Sequence, residues 1–199
     1  VTPVYKLSAS SITGRTTYGS MLAGNPAYEL PGDFESIATV TVGSGGAANV
    51  EFTSIPSTFQ HLQVRFIARS TRAENQDSIT VKLNSVSTTS GWHILSGNGT
   101  SAVGLGYTIY QPSVPYVAAA NKDANVFGAA VIDILDYKNT NKYTTWRSLS
   151  GNDFNGSGDI ALTSGLYQST SAISSILFSA DNGNIPQYSH FALYGIKGA

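Results

Sequence analysis

The sequence predicts an all-β protein: an antiparallel, jelly-roll-like β-sandwich with an extended N-terminal arm. Three observations lead there. From Ser36 onward, apolar and polar residues alternate with a period of two in one short segment after another. No segment sustains the 3.6-residue period of a helix, although one helical turn is expected around 121–125. Clusters of Gly, Asn, Ser and Pro separate the segments at short, regular intervals, and roughly nine or ten strands spaced in this way build a sandwich or barrel.

Residues 1–33 differ from the rest. Val1 to Leu7 is short and extended in character, Ser8 to Asn25 is rich in Ser, Thr and Gly, and Pro26 and Pro31 stop any regular element. The apolar residues Val4, Tyr5, Leu7, Met21, Leu22 and Tyr28 need burial, so this stretch reads as an arm that docks on a neighbour or along its own domain. The sandwich domain then covers 34–199.

Within it, Ile37, Thr39 and Thr41 alternate with Ala38, Val40 and Val42, and Gly43-Ser44-Gly45-Gly46 turns the chain toward Val50 and Phe52. Leu62, Val64, Phe66 and Ala68 form one face of the next strand, with Arg65 and Ile67 on the other. Ile79, Val81 and Leu83 mark a further strand, and Trp92, Ile94 and Leu95 another. Residues 105–117, broken by Pro112 and Pro115, are expected to hold a short strand and a long loop. Val126 to Tyr137 is the most apolar strand candidate, and Asn139-Thr140-Asn141 turns it into a hairpin with Tyr143 to Leu149. Ile160 and Leu162 open the next strand, Ile173, Ile176 and Phe178 lie on another, and 189–197 closes the domain.

Little between these strands suggests catalysis. The three histidines, His61, His93 and His190, are not at metal-ligand spacing, and no Gly-x-Ser-x-Gly elbow is present. Asp133 and Asp136, three apart on a strand, face opposite sides, which does not suit a carboxylate pair acting on a glycan. Asp133 is expected to pair with Arg147 on the adjacent strand. Asp153 to Asp159 partly fits a calcium loop, but Ser164 stands where the closing Glu belongs, so ordinary turn chemistry accounts for it. No catalytic residue, metal or cofactor is expected. The candidate ligand or interface residues are the aromatics Trp92, Tyr107, Tyr110 and Tyr116. They suit stacking on sugar rings, and equally a protein–protein interface or the core.

Composition narrows the partners. Of the 199 residues only 12% are charged, and the net charge of −1 leaves no electrostatic footprint for nucleic acid. Arg65, Arg69 and Arg72 are the one basic cluster, read as a solvated or interface-facing strand face. Weak charge repulsion favours a homo-oligomer. There is no cysteine, and no apolar run is long enough for a membrane-spanning helix.

The segments Phe34–Gly43, Phe52–Leu62, Val131–Tyr137 and Phe191–Lys197 together resemble virion structural proteins of tailed phages, especially phages of aquatic bacteria and cyanobacteria. The resemblance covers most of residues 20–199, and none of its segments is a catalytic motif. It implies a non-enzymatic virion protein, assembled in the host bacterial cytoplasm, with other virion proteins of the capsid or tail adaptor as partners. A short fibre or fibre tip would be a soluble homo-oligomer such as a trimer. A capsid decoration protein would order its arm only on the capsid lattice. A glycan-binding module would recognise the host surface.

Overall fold

A computed structural model of the chain describes residues 33–85, 90–110 and 112–198, which belong to one compact unit. The expected arm residues Val4, Tyr5, Leu7, Met21, Leu22 and Tyr28 lie outside the described residues. Twelve strands run through the described residues, with no helix among them: β1 (Phe34–Thr41), β2 (Asn49–Phe52), β3 (His61–Ala68), β4 (Gln76–Leu83), β5 (Ser90–Gly97), β6 (Ala102–Tyr110), β7 (Ser113–Ala118), β8 (Gly128–Ile134), β9 (Thr144–Asp153), β10 (Gly158–Tyr167), β11 (Ile176–Ala180) and β12 (His190–Ile196). They form an antiparallel β-sandwich. One sheet has eight strands in the order β1-β12-β3-β8-β9-β10-β5-β6, and the other has four in the order β2-β11-β4-β7.

The winding is easiest to follow as one long hairpin. β1 pairs with β12, β2 with β11, β3 with β8 and β4 with β7, each pair nested inside the last. Successive pairs fall in opposite sheets, so the connections β1–β2, β2–β3, β3–β4 and β7–β8 all cross between layers. Two further hairpins are inserted, β5–β6 between β4 and β7, and β9–β10 between β8 and β11. Both join the larger sheet beyond β8, where β10 bridges β9 and β5.

The core lies between the four nested pairs. Phe178 of the smaller sheet meets Phe66 and Phe191 of the larger one, with ring centroids 6.2 and 5.3 Å apart, and Phe52 closes on it edge-on at 6.3 Å. Leu62, Val64, Ile79, Val81, Ile132, Ile134, Ile176 and Leu193 fill the space around these rings. Tyr137 is buried with its hydroxyl donating to the Pro56 carbonyl, and burial holds its phenol above the ordinary pKa. Glycine permits two close approaches. A Cβ on Gly128 would lie 2.6 Å from the Tyr116 carbonyl of β7, and one on Gly165 would run into the buried Trp146 ring.

The sequence reading needs three corrections. The stretch 105–117 is not a strand and a long loop but two strands, β6 and β7; Pro112 sits between them, and Pro115 is tolerated because β7 ends its sheet. Residues 121–125 form turns, closed by Lys122 N–H to Ala119 O at 3.1 Å and Val126 N–H to Asp123 O at 3.0 Å. Ile173 precedes β11 rather than lying on it, and is buried there with its N–H donating to the Tyr137 carbonyl at 2.9 Å.

Candidate functional site

The basic cluster read from the sequence does not stay together. Arg65 stays on the outer face of β3, 5.2 Å above the Phe34 ring and 5.5 Å from that of Tyr194. Arg69, just past the end of β3, turns inward, and its guanidinium donates to the carbonyls of Asp123 (2.5 Å), Val126 (2.8 Å) and Lys122 (2.5 Å). Burial lowers its pKa, and the nearby Asp123 opposes that shift. Arg72 reaches the buried Asp77, 3.5 Å away, whose other carboxylate oxygen accepts from the Ser70 hydroxyl at 2.6 Å. Arg69 and Arg72 are therefore loop-holding groups, and only Arg65 belongs to an exposed strand face.

Asp133 and Arg147 are directly opposite on β8 and β9, with Arg147 Nε 3.3 Å from Asp133 Oδ2. Their pairing matches the expectation, but on the outer, partly exposed face of the sheet. They end a polar chain across that face: Arg65 Nε donates to Gln63 at 2.8 Å, and Gln63 Nε2 donates to Asp133 at 2.8 Å. The other carboxylate of the pair, Asp136, lies in the turn after β8. Lys142 and Gln60 donate to it and hold its pKa below the ordinary carboxylate value. The histidines lie apart: His61 Nδ1 accepts from the Asp136 N–H at 3.0 Å, and His190 Nδ1 meets the Thr41 hydroxyl at 2.8 Å. Among the described residues no three His, Cys, Asp or Glu gather as a metal site. The 153–159 segment is the β9–β10 turn, with Asp153 accepting from the Asn155 N–H at 2.7 Å.

The four candidate aromatics sit on strands. Trp92 of β5 is directly opposite Tyr107 of β6 in the ladder, and Tyr110 is opposite Ser90. Tyr116 of β7, at φ 65°, sends its hydroxyl to within 3.2 Å of the Ser96 hydroxyl on β5. Trp92 and Tyr107 are thus cross-strand neighbours, whereas Tyr116 reaches from the other sheet to Ser96, four residues further along β5 and opposite Val103.

One surface feature among the described residues was not found by sequence reasoning. Beside the polar chain, the outer face of the eight-stranded sheet carries Ile67, Val131, Leu149, Ile160, Leu162 and Leu95, each between 37% and 58% exposed. The ladder makes them one surface. Val131 is opposite Leu149, Leu149 opposite Leu162, and Leu162 opposite Leu95, an unbroken row over four strands. In the neighbouring row Ala129, Gly151 and Gly97 leave room between the large side chains. Two shallow hollows result. One of about 700 Å³ lies among Arg65, Phe127, Val131, Leu149, Asp153 and Ile160, and one of about 300 Å³ lies among Leu95, Leu149, Ile160 and Leu162. Single exposed apolar residues are ordinary, but a contiguous apolar face rimmed by polar groups marks an interaction surface.

Behind this face the polarity is reversed. Ser148, Ser150 and Thr163 are buried on the inner side, and their hydroxyls have no hydrogen-bond partner among the described residues. The period of two identifies β9 and β10 as strands but leaves open which set of side chains faces inward. The one signal available from the sequence is that Leu149 and Leu162 are flanked on both sides by small uncharged residues, whereas a strand facing water would alternate with charged ones.

No family model matches the chain, and no match is found among curated proteins or solved structures.

Proposed function

We propose that the chain is a non-enzymatic structural protein of a tailed-phage virion, a jelly-roll sandwich that works by association through its outer sheet face. The observation that carries this reading is the unbroken apolar row Val131–Leu149–Leu162–Leu95 on an outer sheet face. A face of this kind suits a stable contact with another protein more than a soluble substrate. The nested pairing of β1 to β4 with β12, β11, β8 and β7 supports the jelly-roll description. The resemblance of Phe34–Gly43, Phe52–Leu62, Val131–Tyr137 and Phe191–Lys197 to phage virion proteins supplies the particle. Short fibre or fibre tip is the preferred location, and capsid decoration is the alternative within the same class.

A second reading, recognition of a host surface glycan, draws on the larger hollow, where the Phe127 ring stands beside Arg65 and Asp153. Apolar ring and charged groups together suit a sugar face and its hydroxyls.

Immunogold labelling of intact particles tests the first reading. Label on the tail is expected for an appendage, and label over the head turns the same surface into a lattice contact. Particles without label overturn the virion assignment. The Leu149→Asp/Leu162→Asp variant should fold and yet fail to join particles. Its normal incorporation would remove the outer face from the assembly.

A further inference from the structure

Four strands end the two sheets, and three of them carry features that prevent a sheet from adding strands. β1 is bulged between Ser36 and Ala38 and carries Glu35, which pairs with Lys197. β2 is only four residues long and includes Glu51. β7 contains Pro115 and the left-handed Tyr116, and its ladder to β4 is irregular between Asp77 and Ile79. β6 is irregular only toward its end, where its ladder to β5 shifts register between Ser90 and Trp92, and Ala102–Tyr107 pairs without interruption. It is nine residues long, Ala102–Tyr110, without proline or charge, and the sequence has no Asp, Glu, Lys or Arg from Leu83 to Asn121. Among the described residues no strand pairs with its free edge, and residues 101–106 are exposed. Val103 and Leu105 are 47% and 48% exposed.

The geometry points to β6 as a self-pairing edge: a second copy of this chain adds its own β6 antiparallel, about a two-fold axis at Gly104. The choice of a second copy follows from the register. Centring on Gly104 sets Val103 opposite the partner's Leu105 twice over, so the exposed large apolar side chains of Ala102–Gly106 cover one another. Ala102 falls opposite the partner's Gly106, where both residues are small. A Cβ at Gly104 would have nothing within 4 Å, so the outer side of the junction is open. No charge meets a like charge, which is the usual penalty when a strand pairs with itself. The junction is also continuous with the apolar row, because Leu95 lies directly opposite Gly104. Joining two copies would therefore merge the two outer faces into one longer apolar surface, which a separate protomer does not offer. This inference stands on the strand edge and not on the virion reading.

Sedimentation velocity on the full chain, with single-cysteine variants, tests it. The chain has no cysteine, so an introduced one reports without ambiguity. Directly opposite residues lie about 4.5–5.5 Å apart at Cα, within disulfide reach. Gly104→Cys should give a disulfide-linked dimer on mild oxidation. Ser101→Cys, about 20 Å from its symmetry mate in this register, should not. Val103→Lys/Leu105→Lys should raise the dimer dissociation constant about tenfold or more, with an unchanged melting temperature at concentrations low enough for both chains to be monomeric. A monomer at all concentrations, a trimer, a dimer that survives both lysines, or equal crosslinking of the two cysteine variants would overturn the proposal. Particle labelling would be unaffected by that failure, so this proposal and the virion reading fall separately.

Discussion

On β8 the buried positions are Gly128, Ala130, Ile132 and Ile134, whereas on neighbouring β9, past Trp146, they are Ser148, Ser150 and Asn152, and Leu149 stands in solvent. β10 repeats the inversion, with Ala161 and Thr163 inside and Ile160 and Leu162 outside. The four nested pairs thus bury their large apolar side chains, although Ile67 and Val131 also show on the outer face, and β9 and β10 of the inserted hairpins invert the pattern. The nested pairs bury large side chains between two sheets, and this burial stabilises the chain by itself. Between Trp146 and Tyr167 the inserted β9 and β10 use small, mostly polar residues inside, and they leave Leu149, Ile160 and Leu162 uncovered by the described residues. One region is built to fold, and the other accepts a weaker interior to present a surface.

The largest effect should come from the nested core. Phe178→Ala should cost about 3–5 kcal/mol, measured by chemical denaturation, because Phe178 touches Phe52, Phe66 and Phe191 across both sheets. A small loss there would break the comparison. Arg69→Met should come next, at about 2–4 kcal/mol in the same measurement, since three loop carbonyls lose a charged donor.

Acid provides a smaller effect, outside both inner layers. The Asp136 carboxylate is held below its ordinary pKa by hydrogen bonds from Lys142 and then Gln60. A depressed folded-state value stabilises the fold above the unfolded carboxylate range and loses that contribution as pH falls through the folded value. The melting temperature should therefore drop on acidification below about pH 4. Asp136→Asn, which also tolerates the left-handed φ of 52° at this site, should flatten the drop. An unchanged acid profile would show that the pairs contribute nothing.

The smallest effects belong to the inserted strands. Leu149→Ser on the outer face should change the stability of the isolated chain by no more than about 0.5 kcal/mol. Thr163→Val should be neutral or stabilising by up to about 1 kcal/mol, because its buried hydroxyl has no partner among the described residues. A destabilisation by Leu149→Ser as large as that by Phe178→Ala would erase the distinction between the two regions.

Strand identity was legible almost throughout, because the side-chain period of two needs only neighbouring residues. The alternations at Leu62–Ala68, Ile79–Leu83 and 189–197 correspond to β3, β4 and β12. The Asp133–Arg147 pair was legible too, since β8 and β9 follow one another in the chain, joined by residues 135–143, and consecutive strands commonly pair. β7 was hidden by Pro115, because proline is forbidden only where a strand has neighbours on both sides, and edge position is a property of the whole sheet. Arg69 read as a surface cation because nothing local shows that the 122–126 turn needs donors.

By itself the sequence determined the class: strands, short turns, a low-charge surface and an apolar core large enough for a sandwich. Only the tertiary structure decided the rest, namely which strands pair, which face of β9 and β10 is covered, and which edge is left open. The physical reason is range. Alternation and turn chemistry are settled within a few residues, whereas burial of one face rather than the other depends on what a strand far along the chain, such as β7, places over it.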